Sequence, residues 1–175
     1  LRTQYDAIIV GTNTVMKDNP ELSSHNKGKN PVRVIFDKNL STPENYNILN
    51  GKIPTIIFHR HTLKKIPEHF LKDCIKLIPI NFETIKNNFN IVIDKLHNMS
   101  LKRILIEGGG QLNASVLATG KVNDMFIFMA PIIIGGKDAV NVVEGNSISL
   151  IRNALKFKNL QIKKINTDIL IKGIF

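Results

Sequence analysis

The stretch ILIEGGGQLNASVLATGKVND, residues 104–124, decides how the rest of this chain is read. An apolar run ending in Glu107 meets Gly108, Gly109 and Gly110, and a helical pattern follows over residues 111–118 until Gly120 stops it. Strand, glycine turn and helix in that order form the repeating unit of a parallel sheet. Two readings of the turn stand side by side. The glycines supply positive φ angles for a tight turn, or they clear space for an anion at the free N–H groups of the helix. Glu107 is equally double. It accepts hydrogen bonds from a base or sugar at the carboxyl end of a strand, or it serves as a cap or ion-pair partner. The pattern is neither G-x-x-x-x-G-K-S/T nor G-x-G-x-x-G, because Asn113 stands where the latter needs glycine.

Working outward, five more apolar runs have strand character: Ala7–Gly11, 32–36, 55–58, 74–78 and 125–130. Continuous runs of this length suit a sheet covered on both faces. Between the fourth run and residue 103, Phe82, Ile85, Phe89, Ile93 and Leu96 recur at helical spacing, with Asn81 as a candidate cap and Glu83 and Thr84 in the first turn. Residues 155–174 read as two antiparallel strands turning near Asn166. The fold expected is one α/β domain: a mostly parallel central sheet with antiparallel edge strands and flanking helices.

Composition narrows the function. The 175 residues are 43% hydrophobic, enough for a core, and no apolar run approaches the ~20 residues of a membrane span. A single cysteine, Cys74, excludes a disulfide framework and fits a reducing, cytoplasmic setting as a buried, inert thiol. The net charge of +10 favours anionic ligands, but the lysines are scattered. Aromatic residues are only 6% and Trp is absent, so no stacking platform for nucleic acid is expected.

Two further segments carry polar or glycine-rich strand ends. GTNTVMKDNPEL, residues 11–22, follows a strand with Thr12, Asn13 and Thr14 on a turn, and Asp18, Asn19 and Pro20 closing a short helical turn. Paired with the glycine turn it suggests the second wall of a cleft. PIIIGGKDA, residues 131–139, reads as a structural turn or bulge. The histidines of HRH, His59 and His61, lack partners at metal-ligand spacing and read as a surface loop; no metal site is expected.

Together, LRTQYDAIIVGTNTVMKDNPEL, NPVRVIFDKNL, RILIEGGGQLNASVLATGKVNDMFIFMAPIIIGGKDA and TDILIKGIF resemble, in order and spacing, the reductase domain of the bifunctional riboflavin-biosynthesis deaminase/reductase, a dihydrofolate-reductase-like fold. VVEG at Glu144 and the ending DILIKGIF look like the C-terminal half of the bacterial enzyme; the single-domain archaeal reductase is the nearer alternative. The resemblance implies NADPH-dependent reduction of 5-amino-6-(5-phosphoribosylamino)uracil at C1′ of the ribose, a homodimer, and an N-terminal zinc deaminase domain, none of whose signature occurs here. It also implies a first strand and an S-L-D-G-K segment ahead of Leu1.

Residue by residue, the resemblance assigns Arg2 to the substrate phosphate, Leu22 and Glu107 to the substrate, and Thr14 and Asp18 to NADPH. It assigns Gly109, Gly110, Gln111, Leu112, Asn113, Ala114 and Ser115 to the NADPH phosphates. It identifies no proton donor. His25 stands where the family has a substrate-phosphate arginine; lacking a bidentate fork, it is expected to weaken substrate binding. Lys38 stands where the family often has a serine near the cofactor.

Overall fold

The computed structural model describes every residue except 83–84, 137–138, 140 and 146–149, and for 85–87 it describes the backbone alone. Five strands form a parallel sheet: β1 (Ala7–Gly11), β2 (Val32–Phe36), β3 (Thr55–Arg60), β4 (Ile75–Ile80) and β5 (Ile104–Ile106). Their order across the sheet is β4-β3-β2-β1-β5. Two helices leave the carboxyl ends of strands: α1 (Thr12–Asp18) follows β1, and α3 (Gly110–Leu117) follows β5. The chain lays strands outward from β1 to β4, then returns through α2 (Ile85–Asn98) to place β5 on the other side of β1. A crossover of that length is what parallel pairing requires.

Strand β1 shows why both faces must be covered. Ala7, Ile8, Ile9 and Val10 are all fully buried, and alternation sends them to opposite sides. Ile8 and Val10 join Val15 of α1, Ile35, Ile57 and the apolar residues of two 3-10 turns, Ile48, Leu49 and Phe70. Ala7 and Ile9 join Val34, Phe58 and the buried stripe of α2, Phe89, Val92 and Leu96, with Val116 of α3. Burying each such side chain contributes about 1.5–3 kcal/mol. The expected α2 periodicity is seen at Phe89 and Leu96, with Val92 buried and Ile93 half-buried. Glu83 and Thr84 lie outside the described residues.

Two polar devices fix the loops that lead to the site. Asp37, buried just past β2, accepts four hydrogen bonds, from Ser41 N (2.9 Å), Ser41 Oγ (3.1 Å), Thr42 N (2.8 Å) and Thr42 Oγ1 (2.7 Å). Asp6, just before β1, accepts from the backbone N–H groups of Lys102 (3.0 Å) and Arg103 (2.8 Å) and so ties the entry of β5 to that of β1.

The antiparallel strands form a sheet of their own, β6-β8-β7, from β6 (Asp124–Met129), β7 (Asn159–Ile165) and β8 (Asp168–Ile174). The hairpin turns at Asn166, which takes the left-handed conformation at φ 54°. This corrects the expectation of antiparallel strands edging one continuous sheet. The 125–130 run also differs from a doubly covered strand, because Phe128 and Met129 are exposed. Adjacent strand residues point to opposite faces, so β6 is open on both sides at this end, and an apolar run does not guarantee burial. Cys74 is half-buried just before β4, and His59 lies inside β3, 6% exposed, with Nδ1 3.0 Å from the Arg60 carbonyl oxygen, rather than in a surface loop. Gly135 and Gly136 both have positive φ, in keeping with a turn, while Lys137 and Asp138 lie outside the described residues.

The two N–H bonds to Asp6 hold its carboxyl below the usual carboxylate range, the Arg103 amide being the larger cause. A depressed folded value means the stabilisation is complete above the unfolded carboxylate pKa, about 3.9, and is lost as pH falls through the folded value. Asp6→Asn is therefore expected to be less stable than the parent at neutral pH. In urea melts the gap closes below about pH 4.

Candidate active site at the β1 and β5 carboxyl ends

Strand order reverses between β1 and β5, and the crevice opened by such a reversal is where open α/β sheets bind ligands. Two clefts lie there. The first, about 390 Å³, runs between the α1 end of β1, the start of α3 and α2. The second, about 620 Å³, contains Arg2, Leu22 and Glu107. They share Asn13, Thr14, Gly109 and Glu144 as walls, so they are adjoining halves of one groove.

The glycine turn resolves in an unexpected way. None of Gly108, Gly109 and Gly110 has a positive φ, so left-handed geometry is not the reason for them. The reason is space. A Cβ at Gly108 would meet Leu112 Cδ2 at 2.6 Å, and one at Gly110 would meet Glu144 Cγ at 2.5 Å and the Asn141 carbonyl oxygen at 2.7 Å. At Gly109 a Cβ would meet nothing within 4 Å. Gly109 is the residue preceding α3, and no side chain caps that helix. The first N–H groups of a helix have no intrahelical partners. Here they border the groove at Gly109, Gly110, Gln111 and Leu112, as an anion seat requires.

On the other side, Arg2 and Glu107 form a two-pronged pair: Nε to Oε1 at 3.0 Å and Nη2 to Oε2 at 2.7 Å. Arg2 Nη1 also donates to the Ser23 carbonyl oxygen at 2.9 Å. The hydrogen bond to Glu107 raises the Arg2 pKa above its ordinary value, against the opposing effect of burial. Three of five guanidinium N–H groups are thereby engaged, and two are left for a ligand. The pair is partly exposed, so its importance is positional more than energetic.

Other residues anticipated from sequence divide clearly. Thr14 lines both clefts, and Leu22 and Asp18 line the second. Gln111, Leu112 and Ser115 line the first. Asn113 and Ala114 do not. Asn113 Nδ2 donates to the Val142 carbonyl oxygen at 2.8 Å, and Ala114 faces Gly145. His25 is not brought to either cleft: it is exposed, in a left-handed turn at φ 51°. The turn over residues 11–18 is a full helix, α1, closed by Asn19 in the left-handed conformation. Thr12 Oγ1 donates to the Phe36 carbonyl oxygen, joining α1 to the end of β2.

Lys17, Glu144 and Asn88 line the groove although the sequence reading gave them no place in the site. Lys17 is one helical turn from Asn13 and Thr14 and shares their face, a spacing that could have been read. No local pattern points to Glu144, which reaches the groove from a remote irregular segment. Among the described residues no group of three or more His, Cys, Asp or Glu could hold a metal ion.

The description RibD C-terminal domain fits residues 1–171 of this sequence. The chain belongs to that family. It is 32% identical over 176 residues to the 2,5-diamino-6-ribosylamino-4(3H)-pyrimidinone 5′-phosphate reductase of Methanothermobacter thermautotrophicus, covering 98% of this chain and 81% of that protein. It is 34% identical over 174 residues to the riboflavin biosynthesis protein RibD of Actinobacillus pleuropneumoniae, covering 97% of this chain but only 46% of that protein. The chain thus spans about half the length of its bacterial RibD relatives. Among solved structures, the Thermotoga maritima deaminase/reductase superposes with a TM-score of 0.79 at 23% identity, over 99% of this chain and 46% of that one. Saccharomyces cerevisiae Rib7 superposes at 0.71 and 19% identity, over 99% and 76%. At such identities these two establish the fold. The RibD C-terminal chain shares that fold and is a mixed α/β domain.

The packing over α3 separates two adjacent glycines. Gly109→Ala is expected to leave thermal stability within about 1 kcal/mol while weakening binding of a phosphate-bearing ligand, because its methyl enters open groove. Gly110→Ala is expected to lower stability by about 1–3 kcal/mol through overpacking against Glu144 and the Asn141 backbone. Thermal melts and isothermal titration on both variants check the pair.

Proposed function

We propose that this chain carries out the NADPH-dependent reduction of 5-amino-6-(5-phosphoribosylamino)uracil to its ribitylamino counterpart. The observation that supports this most directly is the pair of adjoining clefts with a shared wall. An open helix N-terminus lies in one, and a cation–carboxylate pair in the other. A reductase needs a seat for a phosphorylated cofactor next to a seat for a phosphorylated substrate, with the reacting atoms where the seats meet. Asn13 and Thr14 stand at that meeting point.

When bound, NADPH supplies the hydride, and the residues of the chain orient the partners and exclude water. The open space at Gly109 and the uncapped α3 terminus fit the cofactor phosphates. Glu107, held by Arg2, offers acceptor lone pairs to the amino and amide N–H groups of the pyrimidine. The two remaining Arg2 N–H groups and the Lys17 ammonium are the cations of the second cleft, and they take the substrate phosphate in place of His25. In this reading the protein acts as a homodimer through the exposed apolar side of the small sheet on which Met129, Leu160 and Ile162 lie open. In the full-length protein a zinc deaminase domain precedes it.

The test is consumption of NADPH with the phosphoribosylamino-uracil and, separately, with its diaminopyrimidinone counterpart. Turnover of the uracil is expected. Turnover of the diaminopyrimidinone alone transfers the reading to the archaeal-type substrate, and turnover of neither removes it. Glu107→Gln keeps the shape but removes the charge, so kcat/KM is expected to fall by roughly 10- to 100-fold. Affinity for NADPH, bound through the neighbouring cleft, should stay the same.

A further inference from the structure

Helix α1 lines both clefts but has little of its own to hold it in place. It is seven residues long, and only Val15 among them is buried. A helix that short does not persist on its own hydrogen bonds. Its first turn is fastened by Thr12 Oγ1, which donates to the Phe36 carbonyl oxygen. Thr12, Asn13 and Thr14, in that turn, line the first cleft. Lys17 and Asp18, in the last turn, line only the second.

The last turn is held by a segment that lies outside both clefts. Asn19 closes α1 in the left-handed conformation, at φ 41°. Its Oδ1 accepts from the Asn47 backbone N–H at 2.8 Å, and its carbonyl oxygen accepts from Asn47 Nδ2 at 2.8 Å. The two asparagines thus close a reciprocal pair of hydrogen bonds. The last carbonyl groups of a helix lack intrahelical partners. One of them, that of Met16, accepts from Tyr46 Oη at 3.2 Å.

The holding segment is itself anchored to the core. Asn47 opens the 3-10 turn Asn47–Leu49, whose Ile48 and Leu49 are buried. Each carbonyl of that turn meets a side chain. Arg33 of β2 donates to that of Asn47 at 3.1 Å, Thr55 of β3 to that of Ile48 at 3.2 Å, and Lys72 to that of Leu49 at 2.9 Å. Arg33 also reaches Asn50 Oδ1 at 3.2 Å. It is fully buried, its Nε and Nη2 find no acceptor, and among the described residues no carboxylate pairs with it. An apolar side chain would fill that space without the desolvation of a charge. What the guanidinium adds is its grip on residues 47 and 50.

We propose that Asn19 and Asn47 are positioning residues of the groove: together they clasp the last turn of α1 to a turn fixed in the core, and so hold Lys17 and Asp18 at the second cleft. The clasp acts on the half of the groove assigned above to the phosphorylated pyrimidine. The cofactor half is fastened separately at Thr12 and does not depend on it. The ligand side of this inference rests on the reductase reading.

The test uses two substitutions at one position. Asn19→Gly keeps the left-handed backbone without strain and deletes Oδ1. Asn19→Asp keeps an acceptor there and tolerates the same conformation. The measurements are KM and kcat with the phosphoribosylamino-uracil, NADPH affinity by isothermal titration, and amide hydrogen exchange of residues 16–19. Asn19→Gly is expected to speed exchange and to raise KM by about fivefold or more, with NADPH affinity within about twofold of the parent. Asn19→Asp should recover most of both losses. Asn47→Leu, which removes Nδ2, should act in the same direction, and the double variant Asn19→Gly/Asn47→Leu should be less impaired than the two single effects combined. An unchanged KM in Asn19→Gly overturns the proposal. So does an equal loss of NADPH affinity, which marks a general structural role, or a failure of Asn19→Asp to recover KM. A parent that reduces neither pyrimidine removes the reductase reading, and the clasp is then decided by exchange: faster in Asn19→Gly and recovered in Asn19→Asp upholds it, unchanged in Asn19→Gly overturns it.

Discussion

Strand β1 has parallel neighbours on both sides, β2 and β5, and that arrangement determines where everything else goes. A chain that lays down β1 to β4 outward must travel back across the sheet to pair β5 with β1. Once it does, the connections leaving β1 and β5 diverge at their carboxyl ends and cannot fill the space between them. The groove is therefore a consequence of topology. What the sequence adds is the lining: α1 beginning at Thr12 on one side, and Glu107 and three glycines on the other. Asp6 reinforces the pairing from beneath, since its carboxylate holds the two N–H groups at which β5 begins.

The fold was legible where one physical rule dominated. Ala7–Gly11 and Val32–Phe36 are strands with the expected bounds, because a strand buried on both faces must be apolar throughout, and little else produces such a run. Helix α2 announced itself through Phe89 and Leu96, which lie on one buried stripe. The small sheet was harder. Its three strands were recognisable, but nothing in residues 125–130 says whether the partners continue the large sheet or stand apart, since pairing is a relation between distant segments. Burial was misjudged there for the same reason.

The site was legible only in part, and the failures have a common cause. Glu107, Gly109 and Thr14 lie at strand ends, where position in the sequence implies position in space. Asn88 and Glu144 reach the groove from α2 and from an irregular segment whose place depends on tertiary packing. On a helix wheel Asn88 is simply a polar residue beside an apolar stripe; only the sheet beneath shows that it is buried. His25 differs in the opposite sense, lying outside both clefts. Its place in a motif suggested a ligand contact, but the backbone from Ser23 to Gly28 turns on itself through Ser24 Oγ to the Gly28 carbonyl oxygen and leaves His25 in solvent.

Glu144 ties a remote segment to the start of α3. Its backbone N–H donates to the Gly110 carbonyl oxygen at 3.0 Å, so the segment carrying it is fastened to the first residue of α3. Gly110 has no room for a methyl beneath it. A carboxylate placed at a helix N-terminus is favourable by about 0.3–1 kcal/mol. Two like charges about 4 Å apart at an effective dielectric near 20 repel by about 4 kcal/mol, several times that gain, so a second anion beside Glu144 would be opposed there. Glu144 also lines the second cleft, where Arg2 and Lys17 carry positive charge, so the two clefts share one carboxylate between a helix N-terminus and two cations.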